Sequence, residues 1–485
     1  MRLPVLEHLP TRRQVLKAGL ATAALAALPN RLHAAVSKDH RPNIVLILAD
    51  DLRADSLSCA GNPILQTPNI DALAARGVRF TQSFTTTAIC MSSRASILTG
   101  LHTRVHGIDN FAVPLKRSLF VQSYPMLLRR SGYRTGFVGK WGIGDNWLPR
   151  ADYDFFAGFT GQGSYFEPGN PAHLTPRQAD QAVEFLRSCR ANQPFCLAVS
   201  FKAPHVQDEG RDKPGIYPKY PYDRALDPLF QDDAIPRPVT ADITPSPPFL
   251  KQSINCTREA KDFLPDDYEE TMRDLYRLIT GLDQAVGTIT AELQRLGFAD
   301  NTVVIFSSDH GSFYGEHGFG GKWLMHEEAI RTPMIIADPR GPASQFGTTR
   351  GEMVLNLDLP ATILNLANID APAGMQGRSL LPLVAGKTVD WRRELFYENR
   401  FPNTKKQPIA PTTGIRTADW KYIRYLDEDP VYEQLFDLRA DPREERNLAG
   451  DGKYRTVLDT LWHRWGVWDA SLDRHSAGRR WVDPV

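Results

Sequence analysis

The chain has 485 residues, 42% hydrophobic and 23% charged, the balance of a globular protein with room for one large core and a smaller second unit. Its formal charge of +1 gives no electrostatic reason to expect nucleic acid as a partner. No apolar run is long enough to cross a bilayer as a helix, so no transmembrane segment is expected.

The N-terminus comes first. Thr11-Arg12-Arg13-Gln14-Val15-Leu16-Lys17, an apolar stretch from Ala18 to Leu28 and the small residues Ala34-Ala35 occur in the order of a twin-arginine export signal. Residues 1–34 are therefore expected to be removed on export and to take no part in the fold. The expectation is a periplasmic or secreted protein that uses the twin-arginine export machinery. Losing this segment removes Arg2, Arg12, Arg13, Lys17 and Arg31 against Glu7, which takes the formal charge from +1 to −3. Recognition of an anion must then come from local groups. Cargo of this route folds in a reducing compartment, so Cys59, Cys90, Cys189, Cys196 and Cys256 are not expected to form a disulfide framework. Spacing alone leaves a Cys189–Cys196 pairing open.

Beyond the leader, Asn43-Ile-Val-Leu-Ile-Leu-Ala49 reads as a buried central strand ending in Asp50-Asp51. A helical pattern over 69–76 follows. The run Cys90-Met-Ser-Ser-Arg94-Ala-Ser-Ile-Leu-Thr99-Gly100 places a cysteine four residues ahead of an arginine at the mouth of an apparent helix. A free cysteine is more often a small buried hydrophobe, so this run does not decide by itself. A helix over 122–130 and a strand over 134–138 lead to Lys140, just past the strand. A helix over 175–190 precedes the strand over 195–201, which runs into Lys202-Ala-Pro-His205.

The stretch 203–265 is rich in Pro, Asp and Tyr and lacks periodicity, and reads as an insertion beside the site that shapes substrate choice. A long helix over 267–296 precedes the strand Thr302-Val-Val-Ile-Phe-Ser-Ser308, which ends in Asp309-His310-Gly311. After residue 375 the pattern changes to short strands over 394–397 and 420–425 and a final helix over 454–468. This predicts a catalytic domain over 41–375 and a smaller α+β subdomain over 376–485.

Strands alternating with helices predict an α/β fold with a mostly parallel sheet, whose ligands bind beyond the carboxyl ends of the strands. Three of the apolar strands carry their polar residues at that end. Asp50, Asp51 and Asp309 would bring three carboxylates together, and a divalent cation with His310 as a further ligand relieves their repulsion. Alone, Asp50-Asp51 would read first as a helix cap or turn.

The cysteine run resembles the signature of the type I sulfatases, C-x-[P/A/S]-x-R-x-x-x-x-T-G. Further segments resemble that family in family order: Ala49-Asp50-Asp51-Leu52, Thr67-Pro-Asn-Ile-Asp-Ala-Leu-Ala74, Gly132-Tyr-Arg-Thr-Gly-Phe-Val-Gly-Lys140-Trp141, Ser308-Asp-His-Gly311, Gly315-Glu-His317 and Leu435-Phe-Asp-Leu438. The resemblance implies an alkaline-phosphatase-like α/β sandwich with a smaller C-terminal domain. It also implies sulfate ester hydrolysis by a formylglycine made from Cys90 by a formylglycine-generating enzyme. One calcium ion would be held by Asp50, Asp51, residue 90, Asp309 and His310; mixed carboxylate and imidazole donors leave magnesium or manganese open.

Residue by residue, the resemblance has Arg94 hold the formylglycine and the metal-ligand carboxylates, while Lys140 contacts hydrate and sulfate. His205 protonates the leaving oxygen or binds sulfate, and Lys322 clamps a sulfuryl oxygen. His317 and His326 are read as pocket residues, and His102 and His106 as helix-end or packing groups. Two positions depart from the family: Gly142 stands where a histidine often contacts the formylglycine, and Ser92 where proline or alanine is commoner. Phe155-Phe156, Gly158-Phe159 and Gly161-Gln-Gly-Ser-Tyr165-Phe166 resemble segments of carbohydrate-acting members, which points to a sulfated poly- or oligosaccharide. The competing readings are a phosphodiesterase or phosphonate monoester hydrolase of the same superfamily, and a sulfated-glycan binder without catalysis, motivated by Gly142.

Overall fold

The computed structural model describes residues 41–208, 219–243, 247–475, 480–482 and 484. The leader expected over 1–34 lies outside them. At the centre is an eight-stranded sheet built from β1 (Asn43–Ala49), β2 (Val78–Phe80), β3 (Arg134–Lys140), β4 (Phe155–Phe159), β5 (Phe195–Ser200), β6 (Thr302–Ser308), β7 (Met334–Ala337) and β8 (Thr348–Arg350). Their order is β8-β2-β7-β6-β1-β5-β3-β4. Every strand pair is parallel except the two made by β7.

The apolar run of β1 is buried along its whole length because both faces of the sheet are covered. Val45, Ile47 and Ala49 face a core shared with α1 (Pro68–Ala75), α4 (Leu174–Arg187) and α5 (Tyr268–Arg295). Ile44, Leu46 and Leu48 face the opposite core, shared with α2 (Cys90–Thr99), α3 (Tyr124–Arg130) and α6 (Asp358–Leu366). In α5 the apolar positions Met272, Leu275, Ile279, Leu282, Val286, Ile289 and Leu293 recur at three- and four-residue spacing, and all are buried. Helix α2 differs, since all ten of its residues are buried. Its small residues let it lie inside the molecule. The Ser92 and Ser93 hydroxyls donate to the carbonyls of Ile108 and Asp309, each at 2.6 Å, so Ser92 has a structural role.

A second, antiparallel sheet has the order β9 (Glu394–Asn399), β10 (Thr412–Thr417), β11 (Trp420–Tyr425), β12 (Tyr432–Asp437). One face packs under α7 (Arg455–Arg474) through Phe396, Ile415, Tyr422 and Leu435. The other face carries Leu395, Tyr397, Ile423 and Tyr425 against Phe313, Met325 and Ile330.

Element ends differ from expectation at several points. The strand predicted over 134–138 continues through Lys140, so this lysine ends the strand rather than following it. The final helix runs to Arg474, not Trp468. The described part of 203–265 contains only short turns of helix at Arg224–Leu226, Pro248–Gln252, Ile254–Thr257 and Glu259–Phe263.

Candidate active site

Strands β1 and β6 lie side by side in register, Ala49 opposite Ser308, so the next residue of each, Asp50 and Asp309, leaves the sheet at the same edge. The Asp309 amide donates to the Ala49 carbonyl at 3.2 Å and the Asp50 amide to the Ala203 carbonyl at 3.1 Å. The neighbouring β5 thus brings Lys202 to His205 to this edge as well. Asp51 takes a left-handed conformation, φ 69°, and its amide donates to Asp309 Oδ1 at 3.2 Å. Cys90 opens α2 directly above these ends. All nine residues expected at the site from sequence are brought together.

Arg94 ties the floor together. Its Nε and Nη2 each lie 2.9 Å from Asp309 Oδ2, and Nη2 lies 3.4 Å from Asp50 Oδ2. Its Nη1 donates to the Lys140 carbonyl at 3.0 Å and to the Ser200 hydroxyl. Lys140 Nζ lies 2.5 Å from Asp50 Oδ2 and 2.5 Å from Gln162 Oε1. Lys322 Nζ lies 2.6 Å from Asp51 Oδ1 and 3.4 Å from Cys90 Sγ. His310 Nε2 lies 3.4 Å from the same sulfur, and its Nδ1 lies 2.9 Å from the Gly311 carbonyl. His205 Nε2 stands 3.7 Å from Asp51 Oδ2.

These contacts set the charges. Burial works against ionisation of Asp50, but the charges of Lys140, Arg94 and Lys322 overcome it and hold its carboxyl well below the usual range. Burial also opposes charge on the two lysines, yet Asp50 keeps Lys140 above its ordinary value and Asp51 keeps Lys322 well above it. His205 is pushed well below the usual histidine value by burial and then by Lys322, so it rests neutral. His310 is raised to about 9, Asp309 outweighing burial.

The residues fit a divalent cation. Asp50 Oδ1 is buried with no hydrogen-bond partner. Ligand atoms of Asp50, Cys90, Asp309 and His310 lie within 4.8 Å of one another, as do those of Asp50, Asp51, Cys90 and His205. Hard carboxylate oxygens with one imidazole suit calcium, magnesium or manganese.

Other expected positions fall elsewhere. The rings of His317 and His326 pack at a tilt with centroids 5.1 Å apart, and His317 Nε2 stands 4.0 Å from Glu328. His102 packs on Trp468, and His106 lies 3.2 Å from the Ser96 hydroxyl. Cys189 and Cys196 are free thiols. Three contributors were not read from the sequence. Ser200 holds Arg94, Gln162 holds Lys140, and the buried Asn255 donates from Nδ2 to the carbonyls of Lys322 at 2.5 Å and Gly320 at 2.9 Å. Gln162 sits inside the quoted Gly161-to-Phe166 segment, whereas Asn255 carries no signal in its unpatterned loop.

Residues 42–369 match the sulfatase family model. The chain belongs to the sulfatase family. It is a sulfuric ester hydrolase with the alkaline-phosphatase-like α/β fold. Residues 315–468 of this sulfatase also match the model described as N-sulphoglucosamine sulphohydrolase, C-terminal. Residues 10–29 match a twin-arginine translocation signal sequence, which directs export to the periplasm or beyond the cell. No helix among the described residues is long and apolar enough to cross a membrane. The sulfatase is 29% identical to an N-acetylglucosamine-6-O-sulfatase of Bacteroides thetaiotaomicron, over 90% of this chain and 87% of the relative. A solved structure in complex with its substrate, D-glucosamine-2-N,6-O-disulfate, superposes with a TM-score of 0.71 at 26% identity, covering 89% of this chain and 98% of that one. The phosphonate monoester hydrolase of Agrobacterium radiobacter shares the fold, with a TM-score of 0.73 at 21% identity, covering 89% of this chain and 96% of that one.

Proposed function

We propose that this sulfatase hydrolyses sulfate esters on sulfated poly- or oligosaccharides, using a formylglycine made from Cys90 and one divalent cation, calcium by family resemblance. The observation that carries this reading is the placement of Cys90 Sγ, 3.4 Å from both Lys322 Nζ and His310 Nε2. In this reading the sulfur marks where an oxygen of the converted side chain stands. The names of the relatives support the substrate class, since they act on sulfated amino sugars. Residues 41–375 carry the proposed catalytic groups, and 376–485 form the C-terminal subdomain.

The proposed division of labour follows from the contacts. Asp50, Asp51, Asp309, His310 and the oxygen at position 90 would hold the cation, which supplies Lewis acidity there. Position 90, once converted to a hydrated formylglycine, would supply a nucleophilic hydroxyl and a second hydroxyl for sulfate release. Arg94 fixes the two buried carboxylates against each other. Lys140 and Lys322 are held at Asp50 and Asp51 respectively and would offer N–H donors to sulfuryl oxygens. His205 rests neutral with Nε2 facing the site; the negative charge of a bound sulfate raises its basicity, so that it takes up a proton and passes it to the leaving oxygen.

The test is a screen for sulfate release across defined sulfated oligosaccharides, aryl sulfates, phosphodiesters and phosphonate monoesters, joined to mass spectrometry of the Cys90 peptide. Sulfate release from a glycan together with an aldehyde mass at position 90 supports the reading. An unmodified thiol in an active preparation overturns the nucleophile. Faster turnover of phosphonates than of every sulfate ester overturns the reaction class, and glycan binding without sulfate release would leave only a binder.

A further inference from the structure

The roles proposed above leave Lys202 unused. It is completely buried, in the segment that joins β5 to His205. No carboxylate among the described residues pairs with it. Its ammonium donates instead to the Val206 carbonyl at 3.0 Å and lies 4.9 Å from the centre of the Tyr165 ring. Burying an ammonium without a counter-ion is costly, so the fold keeps this charge against a penalty. The Val206 carbonyl accepts a second hydrogen bond, from His205 Nδ1 at 2.7 Å. The Tyr165 hydroxyl donates to the His205 carbonyl at 2.7 Å, and the Tyr165 ring stacks on His173 with centroids 5.0 Å apart. The His205 amide returns to the Lys202 carbonyl at 2.9 Å.

We propose that Lys202 is a positioning residue for His205, acting through the Val206 carbonyl that both side chains share. The proposal rests on His205 being the group that serves the leaving oxygen. A carbonyl only accepts, so the shared contact places the ring proton on Nδ1 and leaves the Nε2 lone pair toward Asp51 and the site. Lys202 donates to that same carbonyl, which keeps the turn from swinging the ring away. A methyl-ended side chain of similar length would fill the space without supplying the second donor.

The charge on Lys202 titrates in a useful range. Burial first, and then the charge of Lys140, bring it down to about 8, while Asp208, Asp50 and Asp51 oppose the shift. The Tyr165 ring and His205 complete its surroundings. The ammonium is present below that value and is lost above it, so positioning weakens as pH rises through about 8.

The test uses the full enzyme with Lys202→Met and Lys202→Arg, read by kcat and KM across pH and by 15N NMR of labelled histidine, with His205 assigned through His205→Gln. Lys202→Met is expected to lower kcat by roughly ten- to a hundredfold with KM changed less than about threefold. Its His205 signal should turn from the Nδ1–H pattern to a mixture of tautomers. Lys202→Arg should recover part of kcat and lose the alkaline limb, because a guanidinium stays protonated. Wild-type kcat in Lys202→Met, or an unchanged limb in Lys202→Arg, overturns the proposal. The NMR signal needs no substrate, so it still decides if the proposed reaction is wrong. If Lys202→Met does not fold, the wild-type signal decides: a shift centred near pH 8 supports the coupling, and a signal constant through that range overturns it.

Discussion

Arg94 fills the space into which a side chain at position 142 would project: a Cβ built on Gly142 falls 2.7 Å from Arg94 Cδ and 3.2 Å from its Nε. Gly142 also has φ +71°, a conformation that glycine adopts without strain. Arg94 cannot move aside cheaply, because Asp309, Lys140 and Ser200 all hold it. The histidine common in the family is therefore excluded by this backbone, not merely missing. Gly142→His is expected to lower kcat/KM by about tenfold or more and to lower the melting temperature. A gain in sulfate release would show that position 142 still has room for that side chain.

Arg94 itself is the strongest stability prediction. Removing its guanidinium leaves Asp50 and Asp309 buried without their shared partner. Arg94→Ala is expected to cost about 3–5 kcal/mol and to abolish turnover. Arg94→Lys keeps the charge but cannot reach two carboxylates, a carbonyl and a hydroxyl at once, so it should rescue folding better than activity. Denaturant unfolding and sulfate release on both variants check this; equal recovery of stability and turnover in the lysine variant would count against it.

Chelation probes the carboxylate cluster. If the cation sits among Asp50, Asp51, Asp309 and His310, removing it uncovers their mutual repulsion. A metal present at a hundred times its dissociation constant adds about 2.7 kcal/mol to the folded state. Chelator treatment should therefore lower the melting temperature and stop sulfate release, and calcium should restore both. An unchanged melting temperature and rate after exhaustive chelation would rule out a resident ion.

Much of this arrangement was legible in the sequence. Continuous apolar runs gave β1 and β6 their ends to the residue, because a strand buried on both faces has no other composition, and those ends carry the three carboxylates. The residues holding the lysines were harder to see. Lys140 closes its strand instead of following it, since its backbone still pairs with Phe159 of the neighbouring strand. Asn255 acts through backbone carbonyls of a distant segment, and no local periodicity reports such a contact. Gln162 needed the register of β3 and β4, Lys140 opposite Phe159, to come within reach of Lys140.

Away from the site, Glu328 lines a cavity of about 300 Å³ with Arg53, Glu316 and Arg331. Burial, and then the charges of Glu316 and Glu444, raise its carboxyl to about 8. The folded state then binds more protons than the unfolded one between the ordinary carboxyl value and about 8, so this group's contribution to stability falls as pH rises through that window. Glu328→Gln removes the penalty. It should be more stable than the parent by about 1–3 kcal/mol above pH 8 and nearly equal to it at about pH 5. Melting temperatures at the two extremes check it, and a variant weakened equally at both would refute the assignment.

The complete burial of α2 also imposes an order of events in time. Once β1 and β6 have paired beneath Cys90 and the helix is enclosed, no second enzyme can reach that thiol without undoing the fold. Any conversion of Cys90 therefore belongs to the nascent or unfolded chain. The twin-arginine signal adds a later gate, since that route carries cargo already folded. If Cys90 is converted as proposed, a molecule that folds with its cysteine intact would leave the cytoplasm beyond repair, and the exported pool would record how modification and folding compete during synthesis.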